Sequence, residues 1–394
     1  MKRREFLLKT GLGILSLSLF SNKSLANYDL SYVNNHKDVL DFLAKSKTKY
    51  KTVNITGIDP TLEFIYQRDG GDTGSVRPGV ILFNDDKEAA LIDVPIFAHS
   101  IEQNPTNPAR IMLIPRRGPV AVEFDIVQNK VVNELSMPER LFYGHGCYIP
   151  GTDLFYASTS IPSERDTRMV LFDVKKQTFI NDIIITGGYM AHQCALAKDG
   201  KHIIISFARG SLEYPPSVAW FDIATGKLTK RIIGMKENVE HFSEMSDGSI
   251  LFTGGFLPTD NQRGPVALGV IEEEKVHNFP IENIDGQKVL KGQGVGILGL
   301  ESRGYYFSTN LSENVIHVYN YKTKQFIKNI KVYAPRGISA TEDGKFLFVT
   351  MIPSLKKKRP EILVIDVDKL EVVDRFSVKN TMAYSSHTTA FKLF

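Results

Sequence analysis

The chain contains nine histidines, and five of them, His99, His145, His192, His241 and His387, stand at one recurring place. With Gln293 and Arg336 at the two remaining places, the successive intervals are 46, 47, 49, 52, 43 and 51 residues. Scattered histidines would not keep such a period. Neutral imidazole ligates transition metals at near-neutral pH, so a convergent set suits iron or copper ahead of zinc. Cys147 and Cys194 each lie two residues beyond a histidine. The two-residue period of a strand would put each thiol on the same face as its histidine, one step deeper. There they are candidate thiolate ligands, candidate partners in a reversible disulfide, or small inert core residues. A competing role for the imidazoles is mechanical, each holding a loop by a hydrogen bond to a backbone carbonyl.

Other residues near these places could bind a cofactor or substrate. Gln293 and Arg336 complete the set of seven, while Tyr143 beside His145 and Glu240 beside His241 offer a general acid or base or an anion contact. Glu139 and Arg140 look like a surface ion pair. Arg116, Arg117, Arg168, Arg209 and Arg263 follow second apolar runs, where hydrogen bonds between repeats would use them. Lys356, Lys357, Lys358 and Arg359 form a charged loop tip. No phosphate-binding glycine loop, nucleophile elbow or HExxH pattern occurs.

The elements that position these residues follow from what surrounds each place. His192 is followed by Lys198-Asp199-Gly200 and the run Ile203-Ile204-Ile205; His241 by Ser246-Asp247-Gly248 and Ile250-Leu251-Phe252; Arg336 by Glu342-Asp343-Gly344 and Phe346-Leu347-Phe348. An Asp-Gly turn between short alternating runs signals a hairpin, because glycine tolerates positive φ at least cost. A third run follows, such as Leu171-Phe172-Asp173-Val174 or Trp220-Phe221-Asp222-Ile223, and then a polar-edged fourth, such as Phe179 to Ile185. Four short strands in a period near 45 residues make the blade of a propeller. Seven places predict an all-β, seven-bladed β-propeller, with each inner strand along a central channel and equivalent residues converging on its axis. His387 to Phe394 would supply the inner strand of a closing blade shared between the two chain ends. Leu62 to Gln67, Pro78 to Asn84 and Glu88 to Val94 would supply its other three.

At the N-terminus, Arg3-Arg4-Glu5-Phe6-Leu7 resembles a twin-arginine export signal, followed by an apolar stretch from Gly11 to Phe20 and a small-residue cleavage site at Ser24-Leu25-Ala26. The expected organisation is a signal peptide over 1–26, a leader over 27–56 containing a short helix at Val39 to Ala44, and the propeller over 57–394. Export through the twin-arginine translocase places the mature chain in the periplasm. The apolar stretch is too short to span a bilayer and no later one approaches that length, so no membrane span is expected in the mature chain. A net charge of +4 over 394 residues gives no basic patch for nucleic acid. Two cysteines cannot form a disulfide framework.

The phrase Phe142-Tyr143-Gly144-His145-Gly146, with the Ala191-His192 segment and Ser217-Val218-Ala219-Trp220-Phe221-Asp222, resembles the bacterial DUF1513 family over most of residues 85–390. Members share the twin-arginine leader and are often encoded beside imelysin-like and other iron-acquisition proteins. The resemblance therefore implies a periplasmic role around iron, with other iron-uptake proteins as partners. It supplies no catalytic residues. Three functions fit the sequence: a metal-binding or metal-handling propeller, an enzyme of the lactonase-like or quinone-cofactor oxidoreductase kind, and a platform for protein interaction.

Overall fold

A computed structural model describes residues 36–58, 78–137, 139–161, 166–183, 189–209, 215–255, 266–280, 292–351, 361–377 and 385–394. Residues 1–26, read above as a signal peptide, together with Leu62 to Gln67, Arg263 and the Lys356–Arg359 run, lie outside these residues.

The hairpin phrases fold as their chemistry dictates. Gly200, Gly248 and Gly344 take φ of 67°, 83° and 67°, and the preceding aspartates close the same turns. The backbone N–H groups of Lys201, Ser249 and Lys345 donate to Asp199, Asp247 and Asp343 Oδ1 at 2.8, 2.9 and 2.9 Å. A second aspartate ends the third strand in blades 1, 2, 3 and 6: Asp173 and Asp222 Oδ1, for example, accept the N–H of Lys176 and Thr225 at 2.9 and 2.7 Å. Such Asx turns reverse the chain locally. The same four-stranded antiparallel sheet recurs seven times.

The inner strands of blades 1 to 6 are Ser100–Gln103, Leu141–Tyr148, Tyr189–Leu196, Val239–Glu244, Gly294–Leu300 and Pro335–Ala340. Each lies against the next, and the ring closes through Ser385–Lys392 of blade 7. The chain is thus an all-β, seven-bladed propeller. Blade 7 runs Ser385–Lys392, Thr52–Ile58, Gly79–Phe83, Ala89–Asp93 from the axis outward. Its second strand is therefore Thr52–Ile58, not Leu62 to Gln67, and it begins inside the segment read as a leader. The alternation Val53-Asn54-Ile55-Thr56 carries a strand pattern without the turn phrase that marked the other blades.

Apolar clusters fuse successive blades. Met112, Ile114 and Leu135 of blade 1 pack with Phe142, Phe155 and Phe172 of blade 2, all at most 1% exposed. At the closure, Phe391 is fully buried among Val53, Ile55, Leu82 and Ile111. The helix His36–Lys47 lays Val39, Phe42 and Leu43 on the same cluster. Phe391→Ala should lower the unfolding free energy by about 3–5 kcal/mol, measured by urea denaturation. Phe394→Ala, at a position 37% exposed, should change it by less than about 0.5 kcal/mol. Equal midpoints for the two variants would show that the C-terminal strand does not hold the ring shut.

Candidate metal centre

In blades 2 to 6 the register between the inner strand and its partner shifts where the recurring residue sits. The shifts fall between Phe142 and Gly146, Ala191 and Cys194, Val239 and His241, Gly294 and Gly296, and Pro335 and Ile338. A bulge bends a strand and re-aims its side chains. It also leaves backbone groups to be satisfied, and hydroxyls on the second strands do so. The N–H of His145 donates to Ser158 Oγ at 3.4 Å, and that hydroxyl donates to the His145 carbonyl at 3.1 Å. Ser206 accepts from Gln193 N–H at 3.1 Å and donates to the Glu240 carbonyl at 2.8 Å. Thr309 donates to the Arg336 carbonyl at 2.6 Å, and Thr350 accepts from Gly337 N–H at 2.9 Å. All four are at most 1% exposed. The mechanical role considered for the imidazoles thus belongs to these hydroxyls.

The imidazoles meet on the axis. Ring centroids lie 4.7 Å apart for His145 and His192, 4.8 Å for His99 and His387, and 4.9 Å for His192 and His241. His241 and His387 are 4.5 Å apart although their blades are not neighbours. His99, His145, His192 and His241 are each no more than 5% exposed, and His387 is partly buried. His99 Nε2 and His387 Nε2 are 3.2 Å apart. Gly144 is required here: it adopts φ of 103°, and a Cβ on it would stand 2.5 Å from His99 Cδ2.

Two groups have ligand atoms within 4.8 Å of one another: His99, His145 and His387, and His145, His192 and His241. His145 belongs to both. Metal–nitrogen bonds of about 2.0–2.1 Å put tetrahedral ligand atoms about 3.4 Å apart, so the rings would draw inward by about an ångström. His145 Nε2 and His192 Nδ1 are buried and find no hydrogen-bond partner among the described residues, whereas the His241 ring interacts with the Gly294 backbone. Buried polar atoms normally have a hydrogen-bond partner.

The electrostatics favour the ligating form. Burial holds His145, His192, His241 and His387 well below the usual imidazole value. Neighbouring imidazoles add to this, with Arg116 acting on the first three and Arg336 on His241 and His387. The rings are therefore neutral, with lone pairs available, at pH 7.

The remaining sequence candidates lie around this cluster with different partners. Gln293 Nε2 donates to Glu240 Oε2, joining blades 5 and 4. Arg336 is 4% exposed. Tyr143 packs edge-on against His192 at 5.5 Å and lies beneath Arg116, whose Cζ is 5.8 Å from its ring centre. Arg116 thus stands beside the cluster and not merely between blades. Arg140 is buried rather than at the surface: it is 9% exposed and Nη1 donates to Thr159 Oγ1 at 3.5 Å.

The thiols lie elsewhere than the two-residue spacing suggested. Cys147 and Cys194 are free, buried and packed among Ile149, Met169, Ala191 and Ile203 in the seam of blades 2 and 3. Neither joins the histidine groups. Both histidines sit within bulges, and a bulge interrupts the alternation that would keep histidine and cysteine on one face. Burial first, and then a hydrogen bond with Cys147, pushes the Cys194 thiol well above its ordinary value, away from the thiolate form that binds metal.

The family model described as a protein of unknown function, DUF1513, matches residues 92–362. The chain belongs to the DUF1513 family. The match runs from the last strand of blade 7 into the third strand of blade 6, so it includes six of the seven recurring positions and stops short of His387. No curated protein matches this DUF1513 chain. Among solved structures, it is similar to a chain titled Kuenenia stuttgartiensis hydrazine synthase, with 14% identity and a TM-score of 0.58 over 73% of this chain and 89% of that one. At that identity the likeness concerns the fold alone.

Proposed function

We propose that this DUF1513 protein is an exported, periplasmic propeller that binds or handles a transition metal through the imidazoles of His99, His145, His192, His241 and His387. The observation that carries this reading is the convergence of the five imidazoles into two groups at ligand distance, with buried ring nitrogens on His145 and His192 that find no hydrogen-bond partner among the described residues. Ser158, Ser206, Thr309 and Thr350 satisfy backbone groups at the bulges, so His145 and His192 are not needed for that work. Imidazole nitrogens alone suit copper, iron or zinc. Iron or copper is favoured, and the iron-acquisition context, with periplasmic iron-uptake proteins as partners, rests on the family resemblance. The Arg3-Arg4 leader supports export through the twin-arginine translocase. Among the described residues no helix is long and apolar enough to cross a membrane.

The test is elemental analysis of the protein purified from the periplasmic fraction of an exporting bacterium. About one transition metal per chain is expected. Protein that is metal-free and stays so after anaerobic incubation with iron(II), and after copper(II) or zinc(II), would overturn the metal reading; recovery only from the cytoplasm would overturn the export reading.

A further inference from the structure

The histidine cluster borders a cavity of about 160 Å³, lined in part by His145, His241 and His387. Much of the remaining wall is hydroxylic. Ser100 and Thr388, each directly after a ring histidine in sequence, line it, and Ser100 is 3% exposed. Ser100 Oγ, Thr388 Oγ1 and His145 Nε2 are buried without a hydrogen-bond partner among the described residues. Leaving such groups buried and unsatisfied is costly. Their grouping around one void marks a place built to receive a polar molecule.

The charges say which kind. Arg116 and Arg336 both act on His241, and a metal on the imidazoles would add further positive charge. The Glu240 carboxylate is engaged by Gln293. Glu102 also lines the cavity, and desolvation pushes its carboxyl up to about 8. Hydroxyl donors in positive surroundings complement an anion. At about 30 Å³ per water, the cavity holds the volume of about five waters, enough for a few heavy atoms.

We propose that this cavity binds a small carboxylate-type oxyanion beside the imidazole-held metal, with Ser100 and Thr388 donating hydrogen bonds to it. The inference rests on the metal reading, and its test keeps the two apart. Cobalt(II) is loaded into the wild type and into a Ser100→Ala/Thr388→Val variant, cobalt content is measured in both, and acetate or benzoate is titrated by visible absorption and calorimetry. Acetate should bind saturably to the wild type, at least about tenfold more weakly to the variant that retains cobalt, and benzoate should not bind. If cobalt is bound but acetate does not bind, or binds both proteins equally, the oxyanion site is overturned and the metal reading stands. If no cobalt is taken up, the titration is repeated with zinc(II), and if neither metal binds it is carried out on the metal-free protein. Acetate binding to the metal-free wild type that the double substitution removes would then support the anion site alone, and its absence would overturn that site.

Discussion

His145→Ala should abolish stoichiometric metal binding, whereas His99→Ala and His192→Ala should each retain about one metal per chain. The difference follows from membership: His145 stands in both histidine groups, His99 in one and His192 in the other. Without His99, the group of His145, His192 and His241 survives; without His192, that of His99, His145 and His387 does. An apparent binding energy of about 10–16 kcal/mol shared among four ligands is about 3 kcal/mol each. Losing a ligand with no replacement should therefore weaken affinity by at least about a hundredfold. Competition with a metal indicator reads this directly, and circular dichroism confirms that the variants fold. Equal losses in all three variants would argue against a shared histidine.

The second large effect is acid sensitivity of the metal-free protein. The folded state holds His145, His192, His241 and His387 well below 6.5, chiefly through burial. The unfolded chain takes up protons near pH 6.5 and the folded chain does not. Below that pH the unfolded state binds more protons, so stability falls as pH drops from about 6.5 toward the folded values, and above 6.5 the effect vanishes. At about pH 5.5 each imidazole contributes up to about 1.4 kcal/mol, and four together up to about 6 kcal/mol. Urea midpoints at about pH 7.5 and 5.5 should separate accordingly. A His192→Gln/His241→Gln variant should lose about half of the dependence. A wild type as stable at the lower pH as at the higher would show that the rings protonate freely in the folded state.

The repeat was legible because its turns are written in residues with one dominant use. Asp199-Gly200, Asp247-Gly248 and Asp343-Gly344 recur between apolar runs, and the aspartates that end four of the third strands recur with them. Blade 7 was harder, because Thr52–Ile58 lacks such a turn while Leu62 to Gln67 offers a competing apolar run. The histidines were legible as a periodic residue type on inner strands. What they do was not, because that depends on bulges, and a bulge is a property of pairing between two strands. The same bulges took Cys147 and Cys194 off the histidine face and into an apolar seam. The positions 158, 206, 253, 308 and 350 all carry serine or threonine on second strands, a periodic signal that aligning the blades on their turns would have exposed. Arg116 and Glu102 carried no comparable signal: one reaches the cluster beside Tyr143 of the next blade, and the other points into the cavity from blade 1.

The most direct test of the imidazole centre is X-ray absorption at the edge of the metal bound by the wild-type protein. The structure predicts a first shell of nitrogen at about 2.0–2.1 Å with the outer-shell scattering of at least three imidazoles, and no sulfur near 2.3 Å. A sulfur shell would bring Cys147 or Cys194 to the metal, and an oxygen-only shell would place the metal away from the histidines; either would contradict the account.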